Sequence, residues 1–400
     1  MLELTNASSQ SWLPTPPRAT WPTPEESAST PYIKWRKFLW SWHYAIDKGW
    51  TDEDYVSLVT KIDKAIATID GSGFRITPTG TWIDASDMLP NFCLWKDETN
   101  NVAGSHKARH LMGVLLHLAV NATHTDQRLA ISSCGNAAIG AATVARAVNR
   151  PIDVYIPTWA SPNIVNQLEK LDATIHVCDR KPGELGDPCM NQFQEAINKG
   201  SLPFTVQASE NILALDGGRT LGWELAEVIS SNAIDHLFIQ VGGGALLTSC
   251  TIGLLEAKEF GILETVPKVC AVQAEGCAPF DKAWKGLPQE VTAQEKIDYA
   301  ISNAASLMSP WEKPESLATG ILDDVTYDWI GVVKALAYTG GESIVASEKE
   351  ISIAYDLVNL QGINAEPTGS AGLAGVMSAM KLGYLQHSDR VGVLLTGVLR

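Results

Sequence analysis

The chain has no Cys-x-x-Cys pair, no apolar run long enough to span a membrane, and no basic stretch followed by an apolar one at its start. Basic residues are also scarce, 30 against 45 acidic ones, for a net charge of −15. Each shortage excludes something. The seven cysteines are odd in number, and Cys93, Cys178, Cys250 and Cys270 lie in apolar runs. They read as small buried residues in a reducing, cytoplasmic setting rather than as a disulfide framework. No membrane span and no secretory signal are expected. A nucleic-acid or anionic-membrane partner is disfavoured, because phosphate backbones need basic patches. Small anions remain possible ligands, since backbone N–H groups can hold them locally.

What is present is an ordinary globular composition, 45% apolar and 19% charged over 400 residues, enough for two domains or lobes. Residues 1–30 carry Pro14, Pro16, Pro17, Pro22 and Pro24 among Ser and Thr. They read as an extended arm that packs on its own or a neighbouring subunit, or as disordered chain. In PYIKWRKFLWSWHYAIDKG, the spacing of Tyr32, Trp35, Leu39 and Trp42 predicts one helix with a buried face. Residues 1–74 thus form an N-terminal arm and helical extension. There is no internal repeat.

Beyond about residue 90, strand and helix patterns alternate. FCLW, RLAIS, IDVYIP, TIHVC, HLFIQV, KVCAVQAE and VGVLLTG read as strands, with helical stretches between several of them. Such alternation means βαβ units and parallel sheets in an α/β fold. Ligands in such folds sit beyond the carboxyl ends of the strands.

Four loops at strand ends could carry chemistry. In KDETNNVAGSHKARH, turn and cap types (Asn100, Asn101, Gly104, Ser105) precede Lys107, which falls in the first turn of a helix. A helix N-terminus disfavours an ammonium, and a lowered amine pKa is what a Schiff-base lysine needs. A solvated surface lysine is the plainer alternative. SSCGNAAIG (Ser132, Ser133, Cys134, then Asn136) is a strand-to-helix turn whose N–H groups suit a carboxylate, or merely a tight turn. QVGGGALLTS places Gly242, Gly243 and Gly244 where a backbone can approach a phosphate, or simply turn; it is neither GxGxxG nor a Walker loop. Thr396 ends the last buried strand. His106 and His110 have zinc-ligand spacing, but the intervening Lys107 opposes a metal, and none is expected.

In this order the four stretches resemble the fold-type II pyridoxal-phosphate (PLP) enzymes, the tryptophan synthase β superfamily. VQAEGCAPF and EPTGSAGLAG are most similar to threonine synthase and the serine/threonine dehydratases. The resemblance implies a two-lobed catalytic region over residues 75–400, with a smaller lobe of roughly 108–205 inserted in the larger. PLP would lie between the lobes, and the protein would be a homodimer. Lys107 would hold PLP covalently and then act as base at Cα. Asn136 would bond the 3′-oxygen. Gly242, Gly243, Gly244, Ala245 and Leu246 would wrap the phosphate, and Thr396 would face the pyridine nitrogen. Ser132, Ser133, Cys134 and His106 would meet a small amino-acid substrate. The chain departs from the family at Cys134, where Ser or Thr is usual, and at Ala245, where the dehydratase loop has a fourth glycine. The reaction implied is β-elimination or β/γ-replacement, of threonine synthase or ammonia-lyase type. A synthase of the cysteine/tryptophan kind, a PLP-binding protein without turnover, and a nucleotide-binding module on the glycine turn are the alternatives. His106 and Arg109 are the cations expected near the site for a substrate phosphate.

Overall fold

The strand-forming stretches resolve into two separate sheets. The structure is a computed structural model that describes residues 11–399, apart from 24, 25, 27, 29, 83–86, 122–125 and 182–185. The start of the expected arm, residues 1–10, and Pro24 lie outside the described residues.

The strands are β1 (Thr79–Trp82), β2 (Phe92–Asp97), β3 (Leu129–Ser132), β4 (Ile152–Pro157), β5 (Thr174–Cys178), β6 (Leu202–Pro203), β7 (His236–Gln240), β8 (Lys268–Ala274), β9 (Ser343–Ala346) and β10 (Arg390–Leu395). Six form one sheet in the order β1-β2-β10-β7-β8-β9, and four form another in the order β5-β4-β3-β6. Every pairing is parallel except β1 with β2. The central strand β7 is buried at every position, as a parallel strand covered by helices on both faces must be. The register sets the site. Asp97 pairs with Leu395 across β2 and β10, so the chain leaving β2 toward Lys107 runs beside the chain leaving β10 at Thr396.

The leader does not form the single helix its spacing predicts. It breaks into Pro31–Lys34, a 3-10 turn Arg36–Phe38 and Trp40–Asp47. Leu39 is extended at the break. Two buried charges explain this. Asp216 Oδ2 accepts from Trp40 N (3.0 Å), and Arg219 Nη2 donates to the Phe38 carbonyl (2.7 Å). The backbone groups freed at the kink therefore have partners, as burial requires. The expected stripe is still the inward face: Tyr32, Trp35 and Leu39 are wholly buried. Removing each from water stabilises the fold by roughly 1.5–3 kcal/mol.

The next helix, Asp52–Asp70, starts at a capping box between Thr51 and Asp54 and stops at Gly71, which has positive φ. Its buried residues Tyr55, Val59, Ile62 and Ile66 join the leader aromatics in one core with the helices Lys107–Val120 and Asn136–Ala147. The described arm packs on the same chain: Leu13 is buried with Ala208, Ile212, Leu215 and Ala245. The leader is thus a brace beneath the elements that carry Lys107 and Asn136.

Candidate active site

Two backbone peculiarities place Lys107. Ala103 and Gly104 both have positive φ (54° and 60°), which folds the chain sharply after β2. Asn101 holds the start of this turn, accepting from Val102 N at 2.8 Å and donating to Glu98 Oε2 at 2.8 Å. Ser105 then pairs with Gly397, and His106 N donates to the Thr396 carbonyl (3.2 Å). Lys107 is the first residue of its helix, with its own N–H directed at Ser105 Oγ (3.3 Å). Burial lowers the pKa of its amine, and Asp323, Asp328 and Glu366 oppose that effect.

The other expected residues gather on the same side. Thr396 Oγ1 accepts from Gln240 Nε2 at 2.7 Å. Its own hydroxyl proton is therefore free to be donated. Asn136 begins the helix Asn136–Ala147, whose N-cap Gly135 offers no capping side chain. Ser133 Oγ is turned to Gly135 N (3.4 Å), and Ser132, Ser133 and Cys134 are half-buried. Asn136 Nδ2 donates to Glu366 Oε1 (2.8 Å), and both atoms lie within 2.8 Å of where a Gly397 side chain would begin.

The glycine turn ends β7. Gly244 has φ +101° and opens the helix Ala245–Glu259 without a capping side chain. A methyl on Gly242 would meet Asp323 Oδ2 at 2.6 Å and Ile321 Cα at 3.1 Å, so a side chain there would displace the Asp323 carboxylate and crowd the Ile321 backbone. A methyl on Gly243 would have room, its nearest neighbours being 3.6 Å or more away. Asp328 braces the turn: its N–H donates to the Gly243 carbonyl (2.7 Å), while its carboxylate accepts from Ala208 N and Ser209 N at 2.9 and 2.7 Å.

Two expectations fail. Arg109 is not a cation available to a substrate. It is 1% exposed, with Nε on Glu98 Oε2 and Nη1 on Glu224 Oε1, both at 2.7 Å. Nor is His106 a cation. Burial, then the Lys107 charge, hold its pKa well below the ordinary histidine value. Burial likewise takes His110 down to about 3. The two histidines also face different partners, His106 Nδ1 the Thr396 carbonyl (3.2 Å) and His110 Nδ1 the Ala214 carbonyl (2.8 Å).

Asp323, Asp328, Glu366 and Gln240 are the site residues that sequence reasoning did not single out. Glu366 lay in a quoted motif, EPTGSAGLAG, and could have been found there. Asp323 and Asp328 lie in LDDVTYDW, which has no motif signal; only tertiary packing brings them to the turn.

The residues fit a phosphate-bearing pyridine cofactor. A glycine turn crowded at Gly242 leads into an uncapped helix, a cradle for a dianion. Lys107 supplies an amine of lowered pKa, and the Thr396 hydroxyl suits a neutral ring nitrogen.

Comparison with known proteins agrees. Residues 75–397 match the family described as pyridoxal-phosphate dependent enzyme. The threonine synthase of Methanosarcina acetivorans is 29% identical over 192 residues, which cover 48% of this chain but only 43% of that one. The threonine synthase of Mycobacterium bovis is 25% identical over 76% of this chain and 75% of its own. Among solved structures, the processed form of threonine deaminase isoform 2 from Solanum lycopersicum superposes with a TM-score of 0.63 at 16% identity, covering 88% of this chain and 86% of its own. Maize serine racemase superposes with a TM-score of 0.63 at 19% identity, covering 85% and 93%. At these identities the structures speak for the fold. Fold, glycine cradle, buried amine and family match converge: the chain belongs to the pyridoxal-phosphate dependent enzymes of fold type II.

Proposed function

We propose that the protein catalyses elimination of the β-substituent from a small amino acid, with Lys107, Asn136, the glycine turn and Thr396 as its PLP site. The observation that carries this reading is Thr396 at the end of β10. It is a hydroxyl where an aspartate would keep the ring nitrogen protonated. With Gln240 donating to it, the hydroxyl keeps its own proton to give as a neutral donor. Bound PLP supplies the electron sink for charge developing at Cα. Lys107 holds the cofactor and takes the α-proton, burial lowering the pKa of its amine. The turn from Ser132 to Cys134 and the N–H groups at the start of Asn136–Ala147 receive the substrate carboxylate. The bond between Asn136 and Glu366 (2.8 Å) ties that helix start to the start of the helix Pro367–Lys381. Elimination breaks the Cα–H and β-substituent bonds; water converts the released enamine to a 2-oxo acid and ammonia.

Replacement of threonine synthase type is the second reading, favoured by the similarity to threonine synthases. The two cations expected for a substrate phosphate do not serve it: Arg109 is bound into buried pairs, and burial holds the His106 pKa well below the ordinary histidine value. We also take the protein to be a cytoplasmic homodimer. Its seven unpaired cysteines suit a reducing compartment, and the dimer follows from the family resemblance. Among the described residues no helix is long and apolar enough to cross a membrane.

The test is a turnover screen of the PLP-loaded protein with small amino acids, including O-phosphoserine and O-phosphohomoserine. The expected result is ammonia and 2-oxo acid from at least one of them and no threonine from O-phosphohomoserine. Threonine formation would favour the second reading. No turnover across the set would contradict both.

A further inference from the structure

Gln240 is the last residue of β7, 5% exposed, and its side-chain amide meets an unusual set of neighbours. Nε2 lies within hydrogen-bond reach of four oxygens: the carbonyls of Thr368 (3.0 Å), Gly369 (3.0 Å) and Leu394 (3.3 Å), and the hydroxyl of Thr396 (2.7 Å). Carbonyls only accept, so three of the four neighbours demand a donor and the amide fits one way round. Turned over, Gln240 would set its own oxygen against those three carbonyls. The nitrogen therefore faces Thr396 as well, and there the hydroxyl must accept. Among the described residues no acceptor takes the hydroxyl's own proton. The arrangement leaves Gln240 Oε1 buried without a donor among the described residues. A buried amide oxygen with no partner is uncommon in folded proteins and calls for a reason. Glycines let the helix Pro367–Lys381 come this close. A methyl on Gly372 would meet the Phe238 carbonyl at 3.1 Å and Gln240 Oε1 at 3.2 Å, and one on Gly369 would meet the Gly397 carbonyl at 2.6 Å.

We propose that Gln240 is a positioning residue for the cofactor ring: by donating to Thr396 it commits that hydroxyl to donate to the ring nitrogen. The proposal rests on the PLP site read above, with Thr396 at the ring nitrogen, and adds the residue that decides which way that hydrogen bond runs. A hydroxyl left to itself rotates, and can donate to a neutral ring nitrogen or accept from a protonated one. With Gln240 in place, accepting from the ring as well would bury the hydroxyl proton with no acceptor, which is costly. Donation to a neutral ring gives that proton its partner, so Gln240 favours the neutral ring.

The experiment is nitrogen NMR of the protein loaded with PLP isotope-labelled at its ring nitrogen, with PLP retention followed by equilibrium dialysis. Thr396→Val removes the hydroxyl, and Gln240→Met removes the amide at similar size. Gln240→Glu keeps the shape, but its acid proton is drawn to the carbonyls and its other oxygen faces Thr396, which reverses that bond. Each variant is expected to move the resonance from its wild-type position toward that of a ring nitrogen without a donor. Each should also weaken retention about tenfold, the effect of one lost hydrogen bond. The double variant Gln240→Met with Thr396→Val should retain PLP no less well than Thr396→Val alone, because Gln240 acts through the hydroxyl. A wild-type resonance in folded Gln240→Met or Gln240→Glu, with Thr396→Val shifted, would overturn the proposal and leave the PLP site standing. Losses that add to about 100-fold in the double variant would do the same. An unshifted resonance in Thr396→Val would instead remove Thr396 from the ring nitrogen, and this proposal with it.

Discussion

Arg109→Ala should destabilise the protein by about 3–5 kcal/mol, the usual cost of removing one partner from a buried ion network. Arg109 is two residues beyond Lys107 and holds Glu98 and Glu224 together. Lys96 Nζ lies 2.5 Å from Glu224, and Thr77 donates its hydroxyl to Glu98 at 2.5 Å and its N–H to Glu224 at 3.0 Å. All four charged side chains are essentially unexposed. Burial raises the Glu224 pKa, yet Arg109 and Lys96 outweigh it and hold the carboxyl below its usual value. Without Arg109, among the described residues Glu98 has no paired cation and Glu224 keeps only Lys96. Arg109→Lys retains the charge but not the fork that spans both acids, so its loss should be intermediate. Urea unfolding followed by circular dichroism measures the difference. A loss under about 1 kcal/mol for Arg109→Ala would mean that the network is solvated.

Gly243→Asp should weaken PLP retention roughly 100-fold, about 2.8 kcal/mol, while the protein stays folded. The position has space, so the effect is electrostatic rather than steric. A new carboxylate would sit beside Asp323 and face the cofactor phosphate. Two unit charges 4 Å apart repel by about 4 kcal/mol at an effective dielectric of 20. Gly243→Ala provides the control, because its methyl would meet its neighbours, Asp323 and Tyr327, at ordinary contact distances. It should cost far less than Asp. Equilibrium dialysis of the two variants against PLP separates charge from bulk. Equal retention by Gly243→Asp and wild type would show that the turn does not hold the phosphate.

The parallel α/β architecture was legible because buried strands such as HLFIQ and VGVLL are short, nearly continuous apolar runs bounded by turns. The site loops were legible because glycine and amide side chains cluster only where backbone must turn tightly or approach a ligand. Arg109 was misread for the opposite reason. Its partners come from Glu98 and from Glu224, 115 residues away, and no local pattern announces a pairing at that distance. The kink at Leu39 was hidden likewise, since Asp216 and Arg219 impose it from a distant helix. The short strands β1 and β9 (TGTW and SIVA) were missed because four residues carry too little period to stand out. Asp323 lies in a loop without a turn signature, and only the folded chain sets it against Gly242.

The central claim is that Lys107 holds the cofactor in this cleft. Borohydride reduction of the PLP-loaded protein, then peptide mapping by mass spectrometry, tests it directly. The account predicts a stable pyridoxyl adduct on the peptide containing Lys107 and none in Lys107→Ala. An adduct on any other lysine, or none on the loaded wild-type protein, would contradict it.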